Sequence, residues 1–129
     1  MATEWTKLFK INIREVTDAQ TKHLVVKTLI VQKLLIRYKK QKNFIRIYTE
    51  FEATEGKLAD VYFENNKSKE AYAYEIQKKI TPQWLEETKK IYKDWEVPFM
   101  NTSDLVIVDL NKLSNNLIKL EEQINELIY

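Results

Sequence analysis

The chain has 129 residues, 44% hydrophobic and 12% aromatic, with no cysteine and a net charge of +2. That is length for one domain with its own core, and the missing cysteines exclude a disulfide framework, a thiolate nucleophile and Cys-based zinc or iron–sulfur centres. No apolar run approaches the roughly 20 residues of a membrane span, and the amino-terminal MATEWTKLFK lacks a signal-like apolar stretch, so the expectation is a cytoplasmic protein without membrane contact.

Taken in chain order, residues 18–38 place Leu24, Val25, Thr28, Leu29, Val31, Gln32, Leu34, Leu35 and Tyr38 at helical spacing, predicting a helix laid across a sheet. YKKQKN follows as a charged connector, and FIRIYTEF reads as a first strand. Gly56, the only glycine, marks a hairpin turn that needs positive φ. LADVYF is the second strand, ENNKSKE a hairpin loop and AYAYEIQ the third strand. Thr81 as cap with Pro82 at the first helical position starts a helix over PQWLEETKKIYKDW, expected to bury Trp84, Leu85, Ile91 and Trp95. VPFMNTS is a loop, and DLVIVDL has the continuous apolar run of a strand covered on both faces. A closing helix, about 111–128 and capped near Asn111 or Ser114, carries Leu113, Leu117, Leu120, Ile124 and Leu127 at heptad-like steps. That stripe fits either the domain's own core or a homodimer through the C-terminal helix. The order is helix, three antiparallel strands, helix, strand, helix: a single α/β (α+β) domain over 1–129, in which the last strand returns by a helical crossover.

Charge is unevenly spread. Residues 1–47 hold eleven Lys and Arg against three acids, a net +8, and the remainder ten against sixteen, a net −6. A basic face of this kind suits a polyanion, and an acidic region suits a cation. Within the acidic part, Asp60 interrupts the second strand and Glu75 and Gln77 the third. A buried, unpaired carboxylate is costly, so something must offset it. Alternation puts Leu58, Asp60 and Tyr62 on one face and Ala73, Glu75 and Gln77 on one face of the next strand. If those faces meet, two carboxylates and an amide converge, an oxygen set suited to Mg²⁺ or Mn²⁺. His23, the only histidine, reads as a helix-surface or capping residue, and Tyr62, Tyr72, Tyr74 and Trp84 chiefly as sheet packing.

GKLADVYF and AYEIQKK, in this order of elements, resemble the Asp strand and the (D/E)XK strand of the PD-(D/E)XK nuclease superfamily, which includes restriction endonucleases and archaeal Holliday-junction resolvases. The resemblance covers about residues 18–110, with Ala59 in place of the motif's proline and Gln77 in place of its lysine. It implies a restriction endonuclease-like three-layer core and a metal-dependent deoxyribonuclease, an endonuclease, that hydrolyses phosphodiesters with a metal-activated water. Asp60, Glu75 and the backbone carbonyl of Ile76 would hold Mg²⁺ or Mn²⁺, and Gln77 would position the water. The first helix offers no matching acid, which leaves Glu50 or Glu52 as the further metal ligand. DNA phosphates would meet Arg37, Lys39, Lys40, Lys42, Arg46, Lys78 and Lys79. The alternatives are a non-catalytic nucleic-acid-binding or assembly module on the same fold, and a small structural protein that dimerises through its last helix.

Overall fold

Asp18 opens the first described helix, α1 (Ala19–Arg37), by accepting a hydrogen bond from the Thr21 amide at 3.0 Å, the usual N-cap geometry. The computed structural model describes residues 16–128; Glu4, Lys7, Lys10, Arg14 and Glu15, which contribute to the charge asymmetry, lie outside the described residues. A short 3-10 turn (Lys39–Gln41) leads into strands β1 (Ile45–Thr54), β2 (Lys57–Asn65) and β3 (Glu70–Gln77). Helix α2 (Pro82–Ile91), strand β4 (Thr102–Asp109), a 3-10 turn (Leu110–Lys112) and helix α3 (Leu117–Leu127) complete the chain.

The sheet order is β1-β2-β3-β4, antiparallel across the first two pairs and parallel between β3 and β4. Parallel neighbours need a crossover, and α2 supplies it. Gly56 has φ 77 in the β1–β2 hairpin, as a tight turn requires. The element order is therefore the expected one, in a mixed α+β domain.

Each face of the sheet carries its own apolar layer. On one, Val26, Leu29, Ile30 and Leu34 of α1 and Leu120 and Ile124 of α3 pack on Val61, Phe63, Tyr72, Tyr74, Val106 and Val108. On the other, Tyr62, Ala71 and Ala73 meet Tyr92, with Trp95, Val97 and Met100 packed against them. Thus the heptad-like stripe of α3 is core: Leu120 and Ile124 are buried, while Leu113, Leu117 and Leu127 pack partly buried on the same cluster.

Several expected details shift. Only Leu29 and Leu34 of the broad arc expected on α1 are buried, because the helix rotates Lys22, Val26 and Ile30 inward and leaves Leu24 and Leu35 exposed. α2 stops at Ile91, which is exposed, and it is Thr88 and Tyr92 that are buried, since the chain turns away before Trp95. β4 is an edge strand with Val106 and Val108 buried and Leu105 and Ile107 half-buried, so it is not covered on both faces. Asn116, not Asn111 or Ser114, caps α3, because a 3-10 turn capped by Asp109 takes up the preceding residues.

Two cations of α1 clamp the carboxyl-terminal segment. Lys22, buried, donates to the Leu110 and Leu113 carbonyls at 2.7 and 2.6 Å, and Arg37 donates to the Asn125 carbonyl in the last turn of α3 and to the Ile128 carbonyl just past its end. Burial lowers the pKa of Lys22, a pull that Asp109 opposes. Lys22→Met would take the ammonium from both carbonyls, leaving that of Leu110 with only the Leu113 amide, at a cost of about 2–3 kcal/mol in urea denaturation.

Candidate functional site

The antiparallel ladder between β2 and β3 runs from Asn65↔Glu70 to Val61↔Tyr74 and ends there. Past that point β3 pairs with β4, through Gln77↔Asp109, and β2 pairs with β1. The two central strands part, and a pocket of 590 Å³ opens in the gap. Its lining brings together Asp60, Glu75, Ile76 and Gln77, with His23 of α1 and Lys57 at the start of β2.

Asp60 sits at an interruption on both sides. Across from it on β1, Thr49↔Val61 and Phe51↔Ala59 are paired, whereas Glu50 between them takes φ 51, a left-handed conformation uncommon for a residue with a side chain. Strict alternation fails here. Ala59 and Tyr62, three residues apart, pack in one cluster, and the Asp60 carboxylate reaches His23 Nε2 at 3.4 Å on the α1 side. Its other oxygen accepts from the Ile76 amide at 2.7 Å, which occupies the backbone donor where the ladder has ended.

Glu75 is buried, only 4% exposed. One oxygen accepts from the Tyr92 hydroxyl at 2.7 Å, and the other faces the Lys57 ammonium at 3.6 Å. Burial pushes the pKa of both carboxylates up. For Asp60 the Ile76 hydrogen bond and His23 pull it back; for Glu75, Tyr92 and Lys57 do so, while the Asp60 charge pushes further. Desolvated negative charge is therefore only partly offset, the condition under which a hard cation gains most from entering. Burial and the bond to Glu75 also drive the Tyr92 phenol upward, so it stays a donor.

The other candidate residues are dispersed. Gln77 lines the pocket and its amide donates to the Lys79 carbonyl at 3.3 Å. Lys78 lies on the rim; Lys79 is exposed outside it. Glu50 is paired with Lys27 at 2.5 Å and Glu52 accepts from the Gly56 amide at 3.0 Å, and neither lines the pocket. Among the described residues no group of three or more His, Cys, Asp or Glu is gathered for a metal ion. The two carboxylates and the Ile76 carbonyl suit a hard cation completed by water. Lys39, Lys40, Lys42 and Arg46 follow the carboxyl end of α1, whereas the pocket adjoins its first turns, about 25 Å away at 1.5 Å per residue. Arg37 is held by the backbone of α3 and its end.

Lys57 was not singled out in the sequence because it reads as a turn residue after Gly56. The signal is its place: three residues before Asp60, on a strand that begins beside Glu75. Trp84, half-buried, walls the same pocket from the first turn of α2. No protein-family model, curated protein or solved structure matches the chain, so any reading of this pocket rests on its own residues.

Proposed function

We propose that the protein is a metal-dependent DNA nuclease of the PD-(D/E)XK type, with a restriction endonuclease-like arrangement of its α+β domain. The observation that carries the reading is the parting of β2 and β3 with Asp60 and Glu75 lining the gap. Asp60, Glu75 and the Ile76 carbonyl hold Mg²⁺ or Mn²⁺. The bound cation supplies charge stabilisation at the phosphoryl group and an acidified water. Lys57 provides the fixed positive charge that Gln77 cannot, beside the carboxylate it already pairs with. Gln77 orients water through its amide, and Lys57 and Lys78 at the pocket steer a phosphate inward.

A second reading has its own support. Asp60 is already engaged by the Ile76 amide and Glu75 by Tyr92, an internal satisfaction that suits a non-catalytic nucleic-acid-binding module on the same fold. Incubation of end-labelled duplex and single-stranded DNA with Mg²⁺ or Mn²⁺ separates the two. The nuclease reading expects cleavage that EDTA stops and that Lys57→Met slows about a hundredfold, the usual worth of one donor to a developing anion. DNA that is bound but never cut favours the module.

A further inference from the structure

At the end of the sheet away from the pocket, three connections are tied together by their backbones. The Asn66 amide donates to the Phe44 carbonyl at 2.8 Å, linking the α1–β1 connection to the β2–β3 hairpin. The Asn101 and Thr102 amides donate to the Lys69 carbonyl at 2.8 and 3.2 Å, linking that hairpin to the loop before β4. The Asn65 amide group also donates to the Gln41 side chain at 2.8 Å. Six cations meet on this end: Lys39, Lys40, Lys42, Arg46, Lys67 and Lys69, all exposed except the half-buried Lys69. The acids here are Glu64, Glu70, Asp104 and, in the segment that carries Phe99, the exposed Glu96, which lines a pocket with Glu64. Glu64 stands opposite Arg46 in the ladder and accepts from the Tyr62 hydroxyl, and Glu70 accepts from Ser68 and Tyr72. The end therefore keeps a positive excess.

Phe44 stands among these cations, and Phe99 lies two residues before Asn101, whose amide is tied to Lys69. Phe44 is 45% exposed, with the Lys67 ammonium 5.9 Å from its ring centroid. Phe99 is 89% exposed at φ 69, a backbone region that a bulky residue rarely adopts, so the loop holds a large apolar ring in solvent at a conformational cost.

We propose that this end is a second binding surface, for single-stranded nucleic acid, with the cations on phosphates and Phe44 and Phe99 stacked on unpaired bases. The excess of exposed cations fits a polyanionic backbone, and isolated exposed rings beside them fit separate bases along a strand. A bilayer would ask for a continuous apolar face, and two separate rings on loops do not make one. From Asp60 to Asn65, where β2 ends, the strand spans about 17 Å at 3.3 Å per residue, so a nucleic-acid strand bound here is held at a distance from the pocket. The surface stands independently of any chemistry in the pocket.

The test is fluorescence anisotropy of the full chain with a labelled single-stranded oligonucleotide of mixed sequence and with its duplex, over a range of salt. Asp60→Asn serves as background, so that cleavage does not interfere. Binding tighter to the single strand than to the duplex is expected. Combined Lys39→Ala, Lys40→Ala and Lys42→Ala should reduce the slope of log affinity against log salt by about 2, at roughly 0.7 per phosphate contact. Phe99→Ala, at a site where nothing is packed away, should weaken single-strand binding about fivefold or more and leave the duplex unchanged, and Phe44→Ala should do the same in protein that melts as the wild type does. An unchanged salt slope in the lysine variant, an unchanged affinity in Phe99→Ala, or co-flotation with vesicles of anionic lipid without oligonucleotide binding would each overturn the assignment. A wild-type protein that binds here and never cleaves would count against the pocket reading alone.

Discussion

Asp60→Asn and Glu75→Gln should each slow metal-dependent DNA cleavage about a thousandfold, the several kcal/mol that a bound cation supplies to a phosphoryl transition state. The same substitutions should not unfold the protein. Both carboxylates are partly buried and burial raises the pKa of each above its unfolded value. The folded chain therefore binds protons more tightly than the unfolded one. The stability this contributes is complete below the unfolded carboxylate range near pH 4 (about 3.9–4.3) and is lost as pH rises through the raised folded values. At neutral pH the charged pair is a liability in the metal-free protein. Asp60→Asn keeps an acceptor for the Ile76 amide and removes one of the two charges, so its metal-free melting temperature should rise by a few degrees at pH 7. The gain over wild type should shrink at pH 4. Mg²⁺ should raise the melting temperature of the wild type and leave that of the variants unchanged. Differential scanning calorimetry at the two pH values, beside initial rates on a labelled oligonucleotide, gives both readouts.

Leu120→Asp should unfold the protein outright. Leu120 is wholly buried between α1 and the sheet, so the substitution both empties an apolar site and buries an unpaired carboxylate, a combination above about 4 kcal/mol. That is most of the stability of a small domain at the low end of the usual range of about 5–15 kcal/mol. Ile118→Asp on the same helix should leave the fold intact, because Ile118 is 70% exposed. Circular dichroism distinguishes the two. With the heptad-like stripe in the core, Ile118 is the large exposed apolar side chain left on α3, so light scattering of wild type and Ile118→Asp tests the alternative expectation of a homodimer through this helix.

The order of elements was legible because each boundary carries a local cause. Asp18 and Thr81 cap their helices through side-chain oxygens, Pro82 sits at the start of α2, and Gly56 supplies the positive φ of its hairpin. What periodicity could not decide was which side of an ambiguous stripe faces inward. On α1, Leu24 and Leu35 are as apolar as Leu29 and Leu34, and only the packing of α3 and the clamp made by Lys22 select the buried face. The heptad-like steps of α3 have the same ambiguity, since a seam against another chain and a seam against the chain's own sheet need the same spacing. DLVIVDL reads as a strand covered on both faces because a continuous apolar run does not say how fully each face is covered: Val106 and Val108 are buried on one side, while Leu105 and Ile107 are half-buried.

The pocket shows the same division. Asp60 and Glu75 were legible as carboxylates out of place in apolar strands. Their surroundings were not, because they depend on two non-local events: the end of the β2–β3 ladder at Val61↔Tyr74, and the left-handed Glu50 opposite Asp60. These bring Ile76, His23 and Lys57 to the carboxylates from distances in sequence that no motif spans. The basic run after α1 was legible as charge, but its place at the far end of a 19-residue helix follows only from the fold.

Titration calorimetry of Mn²⁺ into the metal-free wild type and into Glu75→Gln is the most direct test of Asp60 and Glu75 as a cation site. Binding of one ion per chain is expected in the wild type, with proton release that grows as pH falls towards the raised carboxylate pKa values, and loss of that binding in the variant. No heat of binding in the wild type, or equal binding in Glu75→Gln, would contradict it.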